Sequence, residues 1–93
     1  MTMDAKRYLE EKKKHHDVKY LQRLHGEFLY SYCRRHGIRK FKLKNLKVGY
    51  YAKLSQIIKC GEARKGIVYL KRKGLVEEEG VGWRFKFEKT KKV

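Results

Sequence analysis

The chain has 93 residues, 41% of them hydrophobic and 39% charged, and its 26 Lys and Arg against 10 Asp and Glu leave a formal charge of +16. That length allows one domain around one modest core. The charge favours a polyanionic partner, nucleic acid before an anionic membrane surface, and the lack of an apolar run near the roughly 18 to 20 residues of a bilayer span, or of a signal-peptide core, predicts a soluble cytoplasmic protein associated with the nucleoid.

The charge is uneven. Residues 1–37 carry nine basic and five acidic side chains, whereas residues 38–93 carry seventeen and five, so the polyanion-facing surface is expected in the C-terminal part. Cys33 and Cys60 stand far apart without CxxC spacing and read as reduced thiols; a Cys33–Cys60 disulfide is the alternative suited to a hyperthermophile. One Asn, two Gln and the high charged fraction lean toward thermophile composition.

In chain order, residues 4–37 read as helical in two registers. The first part, through "EEKKKHHD", is poor in apolar residues. From Val18 the pattern Val18, Leu21, Leu24, Phe28, Leu29, Tyr32 steps by three and four, which predicts a helix over 17–36 with Asp17 as N-cap, Arg34, Arg35 and His36 in the last turn and Gly37 as a left-handed C-cap. Gly26 inside it marks close packing or a break. "IRKFKLKN" alternates, with Phe41 and Leu43 on one face and Lys40, Lys42 and Lys44 on the other, as a half-buried strand does. "LKVGYYAKLSQIIKC" returns to helical spacing through Leu46, Tyr50, Leu54, Ile57 and Ile58, either capped by Asn45 or delayed by Gly49. Ala63, Ile67 and Leu70 predict a further helix over 62–73, stopped by Gly74 with Leu75 packing back. "LVEEE" and "WRFKFEK" read as two strands joined by "GVG", with Gly80 and Gly82 available for positive φ. Trp83, Phe85 and Phe87 face one way and Arg84, Lys86 and Glu88 the other, before a basic tail.

This order, and above all the spacing Ala63-x3-Ile67-x2-Leu70-x3-Gly74-Leu75-Val76, resembles the recognition helix and first wing strand of small winged helix-turn-helix proteins, including repressors of the MarR, PadR and ArsR kinds. The resemblance covers about residues 17–88 and is most specific over 54–87. It implies an α+β fold, a three-helix core with a short strand and a C-terminal two-stranded wing over 17–93, plus an N-terminal helical extension over 1–16.

It also implies sequence-specific binding of double-stranded DNA, with a helix that buries one stripe and offers the other to the major groove. Arg64 and Lys65 are then the candidates for base or groove-edge contact, Tyr69 for a phosphate or thymine methyl, and Arg72 for a flanking phosphate. Gly66 reads either as a close backbone approach to phosphate or as tight packing against the preceding helix. Lys42, Lys44 and Lys53 are expected to add phosphate contacts, and Arg84 and Lys86 to work from the wing. Trp83, Phe85 and Phe87 read as core, with stacking on unpaired bases as the alternative.

Tyr8, Leu9, Val18, Leu21, Leu24 and Phe28 suggest more apolar surface than one small domain uses, which predicts a homodimer through the N-terminal helix with two reading helices about 34 Å apart on a palindromic site. No GxSxG, HExxH or GxxxxGK[ST] occurs, so an enzyme is not expected. Cys33 and His36 lie one helical turn apart, but no second pair completes a zinc site, and no cofactor or effector is implied. The leading function is a transcriptional repressor. The alternatives are a centromere-like site-binding protein in plasmid or viral partition, with a partition partner, and a winged-helix RNA-binding or ribosomal protein. Glu77, Glu78 and Glu79 are expected to pair across the wing with Arg84 or Lys86 and to mark the edge of the footprint.

Overall fold

A computed structural model describes residues 3–49 and 51–87; Tyr50, Glu88 and the tail 89–93 lie outside the described residues. Among those described, the elements are α1 (Ala5–Lys14), α2 (Val18–Arg35), β1 (Lys40–Phe41), α3 (Leu43–Lys47), α4 (Ala52–Ile57), α5 (Cys60–Arg72), β2 (Val76–Glu79) and β3 (Gly82–Phe85). The fold is α+β, with five helices and a three-stranded antiparallel sheet in the order β1-β3-β2. None of the described helices is long and apolar enough to cross a membrane.

Caps set the helix ends. The Asp17 carboxylate accepts the Tyr20 amide at 3.0 Å to open α2, and Asp4 accepts the Arg7 amide at 2.8 Å to open α1. Both α2 and α5 end in a glycine turn of one design. Gly37 (φ 69°) lets the Ile38 amide reach the Cys33 carbonyl at 2.8 Å, and Gly74 (φ 76°) lets the Leu75 amide reach the Leu70 carbonyl at 2.9 Å.

Between those helices the structure corrects the sequence reading. The strand at 38–45 shrinks to Lys40–Phe41, and Leu43 and Lys44 fall in α3. Asn45 lies inside α3 and caps nothing; Gly49 (φ 81°) ends that helix, so the expected single helix is split into α3 and α4. α5 starts at Cys60, earlier than expected, because the Glu62 carboxylate accepts the Lys59 amide at 3.0 Å and extends the first turn.

In the hairpin only Gly80 has positive φ (62°). Gly82 is required for a different reason: a Cβ there would stand 2.5 Å from the Phe41 carbonyl oxygen, so the glycine lets β3 lie against the end of β1. The pairing Val76↔Phe85 and Phe41↔Trp83 turns Val76, Phe85 and Phe41 inward. The aromatic side is core as expected, with Phe85 buried and Phe87 packed edge-on against Tyr30 of α2 at 5.3 Å.

The core joins every layer: Tyr8 from α1, Phe28, Leu29 and Cys33 from α2, Leu54 and Ile58 at α4, and Leu70 from α5 are all fully buried. α1 therefore packs as part of this unit. Tyr8 stacks on Phe28 at 4.4 Å and shares a 2.8 Å hydrogen bond with His25, while the Tyr20 hydroxyl donates to Glu11 at 2.7 Å. Residue 8 beside 25 and 28, and 11 beside 20, make α1 and α2 an antiparallel pair.

Candidate nucleic-acid interface

α5 crosses α2 at two facing glycines. A Cβ on Gly66 would lie 2.8 Å from the backbone of His25 and Gly26, and one on Gly26 would lie 2.9 Å from the Gly66 carbonyl and 2.7 Å from the Tyr69 ring. Only glycine at both positions lets the two backbones meet this closely. Gly66 is buried in that seam, which corrects its placement in the binding face: its role is helix packing, not approach to phosphate.

Because Ala63, Gly66, Ile67 and Leu70 form the buried stripe, the opposite stripe is presented outward. It carries Arg64, Lys65, Val68 and Arg72, all exposed, with Lys71 beside it. Tyr69 sits at the border, its ring against Gly26 and beneath the Lys73 ammonium at 5.8 Å. Among the described residues no carboxylate lies within 4.0 Å of the charged groups of Arg64, Lys65 or Arg72. Residues 38–73, which contain β1 and α3 to α5, hold twelve Lys and Arg and one acid, Glu62.

Glu62 is spoken for. Its carboxylate caps α5 and pairs with Lys12 of α1 at 3.1 Å. Burial alone would raise its pKa, but the Lys59 amide and the Lys12 ammonium hold it below the ordinary carboxylate range. Beside it, burial pushes the Tyr8 hydroxyl above the usual tyrosine range, reinforced by the Glu62 charge, and burial lowers the His25 imidazole.

The wing treats its cations differently. Arg84 meets Glu79 at 3.2 Å, with Lys40 on the same carboxylate at 4.0 Å, and Lys86 meets Glu77 at 3.3 Å. Glu78 projects from the other face of β2 and binds Lys71 of α5 at 2.8 Å. The expected cross-strand pairs are thus present on the outer face, while the Glu78–Lys71 tie between β2 and α5 carries no local sequence signal because the two residues lie on different elements.

Of the remaining positions, Lys44 and Lys53 are exposed on α3 and α4, whereas Lys42 folds over Gly82 at the wing. The set expected at a dimer interface divides: Tyr8, Leu24 and Phe28 are core residues and are unavailable to a second copy, and Leu21 is half-buried. Only Leu9 (38%) and Val18 (63%) stay exposed, so the apolar surplus read from the sequence is consumed mainly by α1 packing on α2. Cys33 and Cys60 are free thiols, Cys33 buried with its pKa raised by desolvation and Cys60 partly exposed at the start of α5. Among the described residues no group of three His, Cys, Asp or Glu is arranged to hold a metal.

Comparison with protein-family models, with curated proteins and with solved structures returns no match.

Proposed function

We propose that this chain is a winged helix-turn-helix protein that binds double-stranded DNA at defined sites, with α5 as the reading helix and α3 and α4 as the elements that brace it. The element order, the sheet order β1-β3-β2 and the β2–β3 hairpin after α5 are compatible with that arrangement. The observation that carries the reading is the outward stripe of α5. Arg64, Lys65 and Arg72 are exposed and, among the described residues, have no carboxylate partner, on a helix whose inner stripe is locked to α2, the division of labour a groove-reading helix needs. Exposed Val68 on the same stripe suits contact with a thymine methyl. Occupying a promoter in this way represses transcription, and marking a partition site uses the same surface.

Selection of bound sequences from random duplexes tests this directly. The expected result is a defined site with affinity well above that for random duplex, and a palindrome in it would report two copies bound with two-fold symmetry. Comparable affinity for structured RNA and no duplex preference would replace the proposal with RNA binding.

A further inference from the structure

We infer that the basic end of α1, through Lys13 and Lys14, extends the DNA-contacting surface beyond the first turn of α5. This rests on the reading of α5 proposed above and goes beyond it, since it assigns to α1 a binding role.

The position of α1 is fixed from three sides. Tyr8 is fully buried, stacked on Phe28 and bonded to His25, so the helix cannot slide along α2. One turn later Lys12 lies over the Tyr8 ring at 5.1 Å and reaches Glu62 at 3.1 Å, pinning the C-terminal end of α1 to the first turn of α5. The chain then leaves α1 through His15, held by Glu11 at 3.3 Å and by the Tyr20 ring at 4.1 Å.

Lys13 and Lys14 directly follow the pinned residue and are exposed, and among the described residues neither has a carboxylate within 4.0 Å. On the other side of Glu62, Arg64 and Lys65 begin the outward stripe of α5. At about 1.5 Å of rise per residue, Lys13 and Lys14 stand within one turn of Lys12, as Arg64 and Lys65 do of Glu62. The Lys12–Glu62 pair is internally neutral, so what flanks it on both sides is uncompensated positive charge of a kind that tracks a phosphate backbone. Net positive charge remains there after the nearby acids are counted: Glu11 is engaged by Tyr20 and His15, Asp17 caps α2, and Glu10, exposed one turn before Lys13 and Lys14, offsets at most one of the two lysines.

The test is a salt titration of binding to a random-sequence duplex of about 30 bp, comparing the unsubstituted chain with Lys13→Gln/Lys14→Gln and with Arg34→Gln/Arg35→Gln. Both pairs remove the same charge from the last turn of a helix, but Arg34 and Arg35 lie at the far end of α2. The α1 pair is expected to lower the slope of log K against log salt by about 1 to 2 and affinity by about tenfold at 0.1 M salt, with little change for the α2 pair. Equal losses from the two pairs, or none from either, overturn the inference. Arg64→Ala, titrated on the selected site, separates the claims: a loss there without a loss from the α1 pair keeps the reading of α5 and removes the role of α1, whereas the reverse keeps the α1 contact and removes α5 as the reading helix. Unchanged thermal melts check that each variant is folded.

Discussion

The outward stripe of α5 and the outer face of the wing are both rich in Lys and Arg, yet they leave that charge in opposite states. On α5, Arg64, Lys65 and Arg72 face solvent and, among the described residues, have no carboxylate within 4.0 Å; on the hairpin and β1, Lys40, Arg84 and Lys86 share Glu77 and Glu79 at 3.2 to 4.0 Å. On the proposed function, net charge points to a polyanionic partner, whereas pairing points to the surface free to meet it. An unpaired cation gains a phosphate outright, but one already held by a carboxylate must first give that contact up.

The strongest way to break the comparison is to unseat α5 itself. Gly66→Ala gains up to about 1 kcal/mol in helix propensity but drives a methyl into the backbone of α2, and a net loss of about 2 kcal/mol or more is expected in urea unfolding. Gly61→Ala is the matched control on the same helix, where nothing lies within 4 Å of the new methyl, and it should hold or raise stability. Equal effects at the two sites would show that the glycine seam does not position the helix.

Next in size is the contrast in binding. Arg64→Ala should cost about 1 to 3 kcal/mol at the selected site and relax preference at one position. Arg84→Ala, which removes an arginine already paired with Glu79, should cost less than about 0.5 kcal/mol. Equal losses would erase the distinction between the two surfaces.

How much of this was legible in the sequence follows from the range of each signal. The caps at Asp17, Gly37 and Gly74 act within six residues, and the α5 stripe repeats within one helix, so both were readable. The failures are at longer range. Nothing local distinguishes a glycine that approaches phosphate from one that meets another glycine forty residues away, as Gly66 meets Gly26. Tyr8, Leu24 and Phe28 looked like surplus apolar surface because the antiparallel packing of α1 on α2, which hides them, is a tertiary fact. The alternation that suggested a short strand over 38–45 was overridden after Phe41 by the turn into α3, and Gly82 was needed for its lack of a side chain instead of its φ.

A smaller effect belongs to the inner side of the comparison and appears in stability, not in affinity. His25 is buried against Tyr8, with Lys12, Lys65 and Glu62 around it, and burial depresses its pKa. The unfolded chain then takes up a proton near the ordinary value of about 6.5 while the folded chain resists it to lower pH. Stability should be unaffected by this group above that value and should fall as pH drops below it. Glu62, whose pKa is lowered, adds a further loss as pH falls below its ordinary value of 4.5. Urea midpoints across pH 5 to 8, about the His range, should show the first decline and should flatten in His25→Gln; an unaltered slope in that variant would assign it to another group.

The smallest effect is the sharpest probe of where one surface ends. Glu78 is the carboxylate that crosses from the wing to α5, holding Lys71 at 2.8 Å, and the lysine ammonium keeps its pKa below the usual range. Among the described residues Lys71 is thus the cation of α5 that meets a carboxylate, placed at the boundary between the free stripe and the compensated hairpin. Glu78→Gln releases it. If DNA lies along the α5 stripe, the freed ammonium adds up to one phosphate contact, steepening the salt slope by at most about 0.9 and raising affinity for every duplex alike, with site preference unchanged. Glu77→Gln, which frees Lys86 on the outer face of the wing, should do markedly less. If the two substitutions raise affinity equally, the footprint includes the hairpin's outer face; if neither does, Glu77 serves hairpin pairing and Glu78 the tie to α5, and neither limits where DNA can lie.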